Sequence, residues 1–233
     1  MVRLKTSCTE CSNANCILKK HAPSDCLNDI DNNKIINRYA KQQIIFHEDN
    51  EVASIYFVQK GIVKVVKNGA FNKDQIVRYS LAGDILGHRG FIDSGLYPVS
   101  AEAVTDSEIC YLPKSYFFEL LNEAPALSIE LMLIYSNELY HEEKKLRDMA
   151  LFNVREKVAK ALLLGTETFG LNENNEINHI ERLSRQDIAD SVGLTSNQVT
   201  KVLGEFKKDS IIETNGKKII ISNKDSLLQM INY

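Results

Sequence analysis

The stretch LSRQDIADSVGLTSNQVTKVLGEFKKDSII, Leu183 to Ile212, leaves few folds open to a chain that contains it. Ser184 can cap a short helix that carries Ile188, Ala189 and Val192 on one face. Gly193 supplies a left-handed turn, and Thr195 or Ser196 caps a second helix with Val199, Val202, Leu203 and Phe206 as its buried stripe. Next comes IIETNGKKIIIS, two β-rich runs around Asn215-Gly216, the pair favoured in a two-residue type I′ turn. Helix, turn, helix and wing in that order make a winged helix-turn-helix.

The faces left outside this motif carry nucleic-acid chemistry. Ser196, Asn197, Gln198, Thr200 and Lys201 present hydroxyl, amide and ammonium groups at the exposed start of the second helix, which suits base edges in a major groove. Arg185 and Thr195 flank that surface, and Lys217 and Lys218 at the tip of the wing would meet the phosphate backbone. Residues 151 to 233 contain 11 Lys and Arg and 11 Asp and Glu, and the whole chain has a formal charge of -3. Affinity for DNA must therefore come from the placement of Arg182, Arg185, Lys201, Lys207, Lys208, Lys217 and Lys218, and should be salt-sensitive.

Upstream, Ile44 to Leu112 reads as short β-branched runs cut by turn residues, among them SIYFVQKGIVKVV, QIVRYSL and SEICYLP, the pattern of an antiparallel barrel or sandwich. After Pro113 the period becomes helical, with Pro125 at the start of a long helix. Within it Met132, Tyr135, Leu139, Leu146 and Met149 fall at three- and four-residue steps if Glu142 fills the remaining place, a heptad seam read as a homodimer interface. The competing reading is an amphipathic helix packed on its own barrel, which Glu142 favours.

Three of the five cysteines, Cys8, Cys11 and Cys16, crowd into CTECSNANC near the start. No stretch approaches the roughly 18 apolar residues of a membrane span, and MVRLKTSCTE lacks a signal peptide's apolar run, so a soluble cytoplasmic protein is expected. In a reducing compartment clustered thiols read as metal-binding or redox-active before they read as bridged. A thiol-disulfide enzyme using Cys8 and Cys11 is a rival, although that motif ordinarily opens a helix in a βαβ unit. No Ser/His/Asp order or paired-carboxylate site is evident, so the chain reads as a non-enzyme. A second rival is an adaptor that binds only protein through the 132 to 149 seam.

LAGDILG, SRQDIADSVGLTSNQVTKVLGEF and the spacing between them resemble the CRP/FNR family of bacterial transcription regulators, over essentially the whole chain. The resemblance implies an α+β fold: a cysteine-bearing tail (1–30), a cyclic-nucleotide-binding-like β-roll of jelly-roll type (31–124), a dimerisation helix (125–150) and a winged helix-turn-helix (151–233). It places an effector pocket at Gly83, Gly87, His88 and Arg89. The family's cyclic-nucleotide branch clamps the phosphate with an arginine where this chain has Pro98, followed by Val99, which argues against cyclic AMP. Arg89 directly follows His88, and on a strand it would point to the other face.

The oxygen-responsive FNR branch is similar in its thiols. That likeness implies Cys8, Cys11, Cys16 and Cys110 as ligands of an iron-sulfur cluster, with the Cys11–Cys16 gap one residue shorter than in the branch and Cys26 as an extra thiol able to replace any of the four. Zinc would accept the same donors, and so would a plain thiol-redox sensor; a set of unliganded thiols stays open as well. The recognition-helix positions that carry Glu, Ser and Arg in FNR relatives are Asn197, Thr200 and Lys201 here, which shifts the expected half-site. The function implied is a homodimeric regulator that binds a palindromic operator in double-stranded DNA and answers a redox, oxygen or nitric-oxide type signal. The alternative is a small effector in the roll without metal. Activation would add RNA polymerase as a partner, for which the composition marks no surface.

Overall fold

The computed structural model describes residues 6–69, 73–92 and 94–231, so the first five residues of the expected tail lie outside the described part. The chain divides into two units, Met1–Asn68 with Val77–Tyr140 and Gly69–Ile76 with His141–Tyr233. The division falls at residue 140, ten residues before the boundary read from the sequence.

The first unit opens with two short helices, α1 (Ile17–His21) and α2 (Cys26–Asn33). Eight strands follow: β1 (Ile35–Tyr39), β2 (Ile44–Phe46), β3 (Ser54–Lys60), β4 (Val63–Lys67), β5 (Gln75–Ser80), β6 (Ile85–Leu86), β7 (Ser100–Ala103) and β8 (Ser107–Pro113). They form two four-stranded sheets, ordered β1-β8-β3-β6 and β2-β7-β4-β5. In the first sheet β8 pairs antiparallel with both β1 and β3, so that Cys110 faces Ile36 on one side and Phe57 on the other. In the second sheet β7 pairs antiparallel with both β2 and β4. Ile55, Phe57, Val63, Val65, Ala101 and Ile109 fill the space between the sheets. Pro113 ends β8, and α3 (Lys114–Glu123) begins at the next residue, its Phe117 ring 6.0 Å from that of Phe57.

The segment expected as a separate tail belongs to this core. Ile17, Leu18 and Ile30 are buried in it, and Asn13 Nδ2 donates to the Val58 carbonyl at 3.0 Å. A methyl group on Gly83 would lie 2.7 Å from Asn15 Cβ, so only glycine lets the tail lie this close.

The long helix α4 runs from Pro125 to Leu151. In the second unit α5 (Val154–Phe169) starts at a reciprocal cap, in which Asn153 accepts from Arg155 N and Glu156 N while Glu156 Oε2 accepts from Asn153 N. Then come α6 (Arg185–Val192), α7 (Ser196–Lys208), β9 (Ile212–Asn215), β10 (Lys218–Ile221) and α8 (Lys224–Ile231). Val158, Leu162, Ile188, Val199, Phe206 and Ile219 are buried here, all but Ile188 completely. The polar stretch after α5 folds onto the wing through a Glu176–Ile220 bridge. Among the described residues no helix is long and apolar enough to cross a membrane.

Candidate functional site

Cys8, Cys11, Cys16 and Cys110 line one cavity of about 30 Å³, together with Leu18, Lys19, Lys34, Phe57, Val58 and Leu112. Three thiols arrive on the turn before α1 and the fourth is held in β8, so residues about a hundred positions apart in sequence share a wall. Burial pushes the Cys110 thiol up to about 12, and its sulfur meets Gln59 Oε1 at 3.5 Å. Burial likewise pushes Cys8 up to about 11, against the opposing effect of Lys34, whose Nζ lies 3.0 Å from the Cys8 sulfur. Asp31 Oδ1 accepts from both Lys34 Nζ at 2.5 Å and Cys8 N at 2.8 Å.

Thiols this buried stay protonated unless a cation stabilises the thiolate, so any centre bound here must displace protons. Four sulfurs on an otherwise largely apolar wall fit a soft metal-sulfide centre. Among the described residues no three His, Cys, Asp or Glu side chains are grouped so as to hold a metal ion. Cys26 does not line the cavity; it lies at the start of α2 near Asp25, Asp29 and Glu123.

The expected effector residues separate. Gly87, His88 and Arg89 line a second cavity of about 10 Å³ with Phe46, Arg78, Tyr97 and Pro98, whereas Gly83 lies against the tail. His88 and Arg89 form a 3₁₀ turn and not a strand, so both reach the same acceptor. Glu138 Oε2, on α4, is 3.2 Å from His88 Nε2 and 2.7 Å from Arg89 Nε, and Glu138 Oε1 is 3.2 Å from Arg78 Nε. Burial would raise the Glu138 carboxyl, but His88, Arg78 and Arg89 outweigh it and hold it at about 2. The two guanidinium groups are enough to keep Glu138 ionised, so burial prevails at His88 and keeps the ring neutral. Among the described residues His88 Nδ1 has no hydrogen-bond partner.

On α4, Met132, Leu139 and Leu146 are exposed, as are Ile129 and Leu133. Tyr135 and Met149 are not part of that bare face. Tyr135 donates through its hydroxyl to the His88 carbonyl at 2.5 Å, and Met149 lies against Gly193. The exposed heptad is therefore Ile129, Met132, Ser136, Leu139, Glu143 and Leu146, and Glu142 is partly covered.

In the second unit Ser184 and Asp187 cap α6 reciprocally, and Thr195 and Gln198 do the same for α7. The cap occupies Gln198, whose Oε1 accepts from Thr195 N at 2.9 Å. Thr200 donates to the Ser196 carbonyl at 2.8 Å. Asn197, Thr200 and Lys201 are exposed along one face of α7, with Ser196 partly so. Arg185 sits half-buried in the first turn of α6. In the wing, Asn215 pairs with Lys218, so the central turn residues are Gly216 and Lys217 and not Asn215 and Gly216. Gly216 has φ +60° while Lys217 keeps a negative φ, the II′ pattern with glycine first. Lys217 is exposed, and Lys218 pairs with Glu176 at 2.9 Å.

Residues 36–124 match the model of a cyclic nucleotide-binding domain, and residues 156–230 match that of a Crp-like helix-turn-helix domain. The chain belongs to the CRP/FNR family of transcription regulators. Curated relatives include the fumarate and nitrate reduction regulatory protein of Escherichia coli K12, 27% identical over 97% of this chain and 90% of that protein. Another is the anaerobic regulatory protein of Aggregatibacter actinomycetemcomitans, 25% identical over 96% of this chain and 87% of that protein. FixK2 from Bradyrhizobium japonicum shares the fold at a TM-score of 0.75 and 24% identity, covering 86% of this chain and 98% of that one.

For this CRP/FNR regulator the sequence reading missed four site residues: Lys34, Asp31, Arg78 and Glu138. Lys34 and Asp31 sit in DIDNNK, which reads as a solvated helix end, and Glu138 looks like one more exposed charge on a charged helix. Only tertiary packing reveals what they touch.

Proposed function

We propose that this DNA-binding regulator acts as a homodimer that answers a redox, oxygen or nitric-oxide type signal through an iron-sulfur centre held by Cys8, Cys11, Cys16 and Cys110. The observation that carries this is the convergence of those four thiols, and not Cys26, on one cavity. When bound, the group would supply reactivity toward oxygen or nitric oxide. A thiol-disulfide enzyme is disfavoured because its nucleophile needs a depressed pKa, whereas Cys8 is pushed up.

The chain's own residues supply the rest. Asn13, Asp31 and Lys34 fasten the thiol-bearing turn to the roll, and α4 continues from the unit with the cavity into the unit that carries α7. The exposed Ile129, Met132, Leu139 and Leu146 face supports pairing of two copies. A two-fold dimer then reads a palindromic operator with half-sites about one helical turn apart. The test is selection of DNA by protein prepared without oxygen, followed by band-shift of the selected site before and after air exposure. Binding that is identical in both states, in wild type and in Cys110→Ser, counts against the sensor.

A second reading, a small effector in the roll, is favoured by His88, which lines about 10 Å³ of space and whose buried Nδ1 has no hydrogen-bond partner among the described residues. That volume suits one water or a ligand of a few atoms. A cyclic nucleotide would have to displace Glu138, whose carboxylate repels a phosphate.

A further inference from the structure

Lys34 closes α2, and the next residue starts β1, which pairs Ile36 with Cys110. Its side chain is only 7% exposed. Burying an ammonium costs several kcal/mol unless charge meets it. Asp31 supplies one partner at 2.5 Å, and the other is the Cys8 sulfur at 3.0 Å. A neutral thiol is a weak acceptor, whereas a thiolate is a strong one. The second cation lining the cavity, Lys19, is spent on the Cys11 carbonyl at 2.6 Å and does not address sulfur through that bond.

We propose that Lys34 is a positioning residue of the four-cysteine site: oriented by Asp31, its ammonium donates to the Cys8 sulfur and offsets the negative charge of the thiolate set. This rests on the iron-sulfur reading above. Reduction adds negative charge to a centre that four thiolates already make negative, so a buried cation and a hydrogen bond to sulfur favour the reduced form. Lys34 thereby raises the reduction potential of whatever centre the site holds. It also gives the Cys8 ligand a fixed orientation, through Asp31, which grips both Cys8 N and Lys34 Nζ.

The experiment compares wild type with Lys34→Gln and Lys34→Arg, each checked for an unchanged fold by circular dichroism. After anaerobic reconstitution with iron and sulfide, a dye-mediated titration reads the midpoint potential. The expected result is a shift to more negative potential in Lys34→Gln, largely restored in Lys34→Arg. In metal-free protein, the rate of Cys8 alkylation by anionic iodoacetate relative to neutral iodoacetamide reads the local charge, because the ratio cancels accessibility. That ratio is expected to fall several-fold in Lys34→Gln, to hold in Lys34→Arg, and to stay constant at Cys26. Wild type that takes up neither iron nor sulfide overturns the iron-sulfur reading, and the alkylation ratio then decides separately whether Lys34 addresses Cys8. Normal uptake with an unchanged midpoint potential in Lys34→Gln overturns the role given to Lys34.

Discussion

Arg89 donates through Nε to Glu138 Oε2 at 2.7 Å, tying the turn after β6 to a helix 49 residues further along the chain. With Arg78 and His88 on the same carboxylate, the turn at His88 to Gly90 is held to a residue of α4. Removing the Glu138 carboxylate from such a partly buried cluster takes a charge partner from two guanidinium groups, and Glu138→Gln should cost about 2–3 kcal/mol at neutral pH. Urea unfolding reads it; a loss within about 0.5 kcal/mol, the usual size for a surface change, would show that the cluster contributes little.

The same groups set an acid limit. His88 is held neutral in the fold but would protonate below about 6.5 when unfolded, and Glu138 stays ionised to about 2 in the fold but would protonate near 4.5 when unfolded. In both cases the unfolded chain binds more protons as pH falls, so stability drops from pH 6.5 downward and drops faster below 4.5. Glu138→Gln should lose the second, steeper part. Melting temperatures taken at closely spaced pH values in both proteins check the sign.

The bare face of α4 predicts that Leu139→Glu yields a monomer in sedimentation and loses operator binding by at least about a hundredfold, since two linked half-sites are needed for tight binding. Tyr135→Phe should leave the dimer intact and instead loosen the turn at His88, whose carbonyl loses the Tyr135 hydroxyl and keeps only the Phe91 N–H among the described donors. If Tyr135→Phe dissociates the dimer as Leu139→Glu does, the seam is the one first read from the sequence.

On α7, Asn197→Ala should cost about 1–3 kcal/mol on the preferred site and relax specificity at one base pair. Lys217→Ala should weaken all sequences alike and lower the salt slope by about 1, while Lys218→Ala does less because Glu176 already holds that ammonium. Gln198→Ala should act on stability, through the lost cap, more than on sequence preference. Affinity across a salt series for these variants separates the effects.

Gly204 lies exposed in the middle of α7, and a methyl group added there would meet no atom within 4 Å. Gly204→Ala should raise stability by about 0.5–1 kcal/mol. If operator affinity falls at the same time, the methyl group meets the DNA backbone, since Gly204 shares the face of Asn197, Thr200 and Lys201.

Much of this was legible in local patterns. Ser184, Gly193 and Thr195 announce the helix-turn-helix because caps and left-handed turns depend on side chains a few residues apart. The wing was legible too, but its turn slipped by one residue, because Asn215 is drawn into the ladder opposite Lys218 and leaves glycine to start the turn. The exposed face of α4 was half legible: period alone cannot tell Tyr135, recruited by the His88 carbonyl, from Leu139, which is bare. Lys34 and Glu138 were not legible, since their meaning lies in contacts with residues brought near only by the folded roll.

The most direct measurement is iron, sulfide and visible absorption on protein purified without oxygen, for wild type and Cys110→Ser side by side. The account predicts iron and acid-labile sulfide with the broad visible absorption of a sulfide-bridged centre in wild type, and loss of all three in Cys110→Ser. Colourless, metal-free wild-type protein would contradict it.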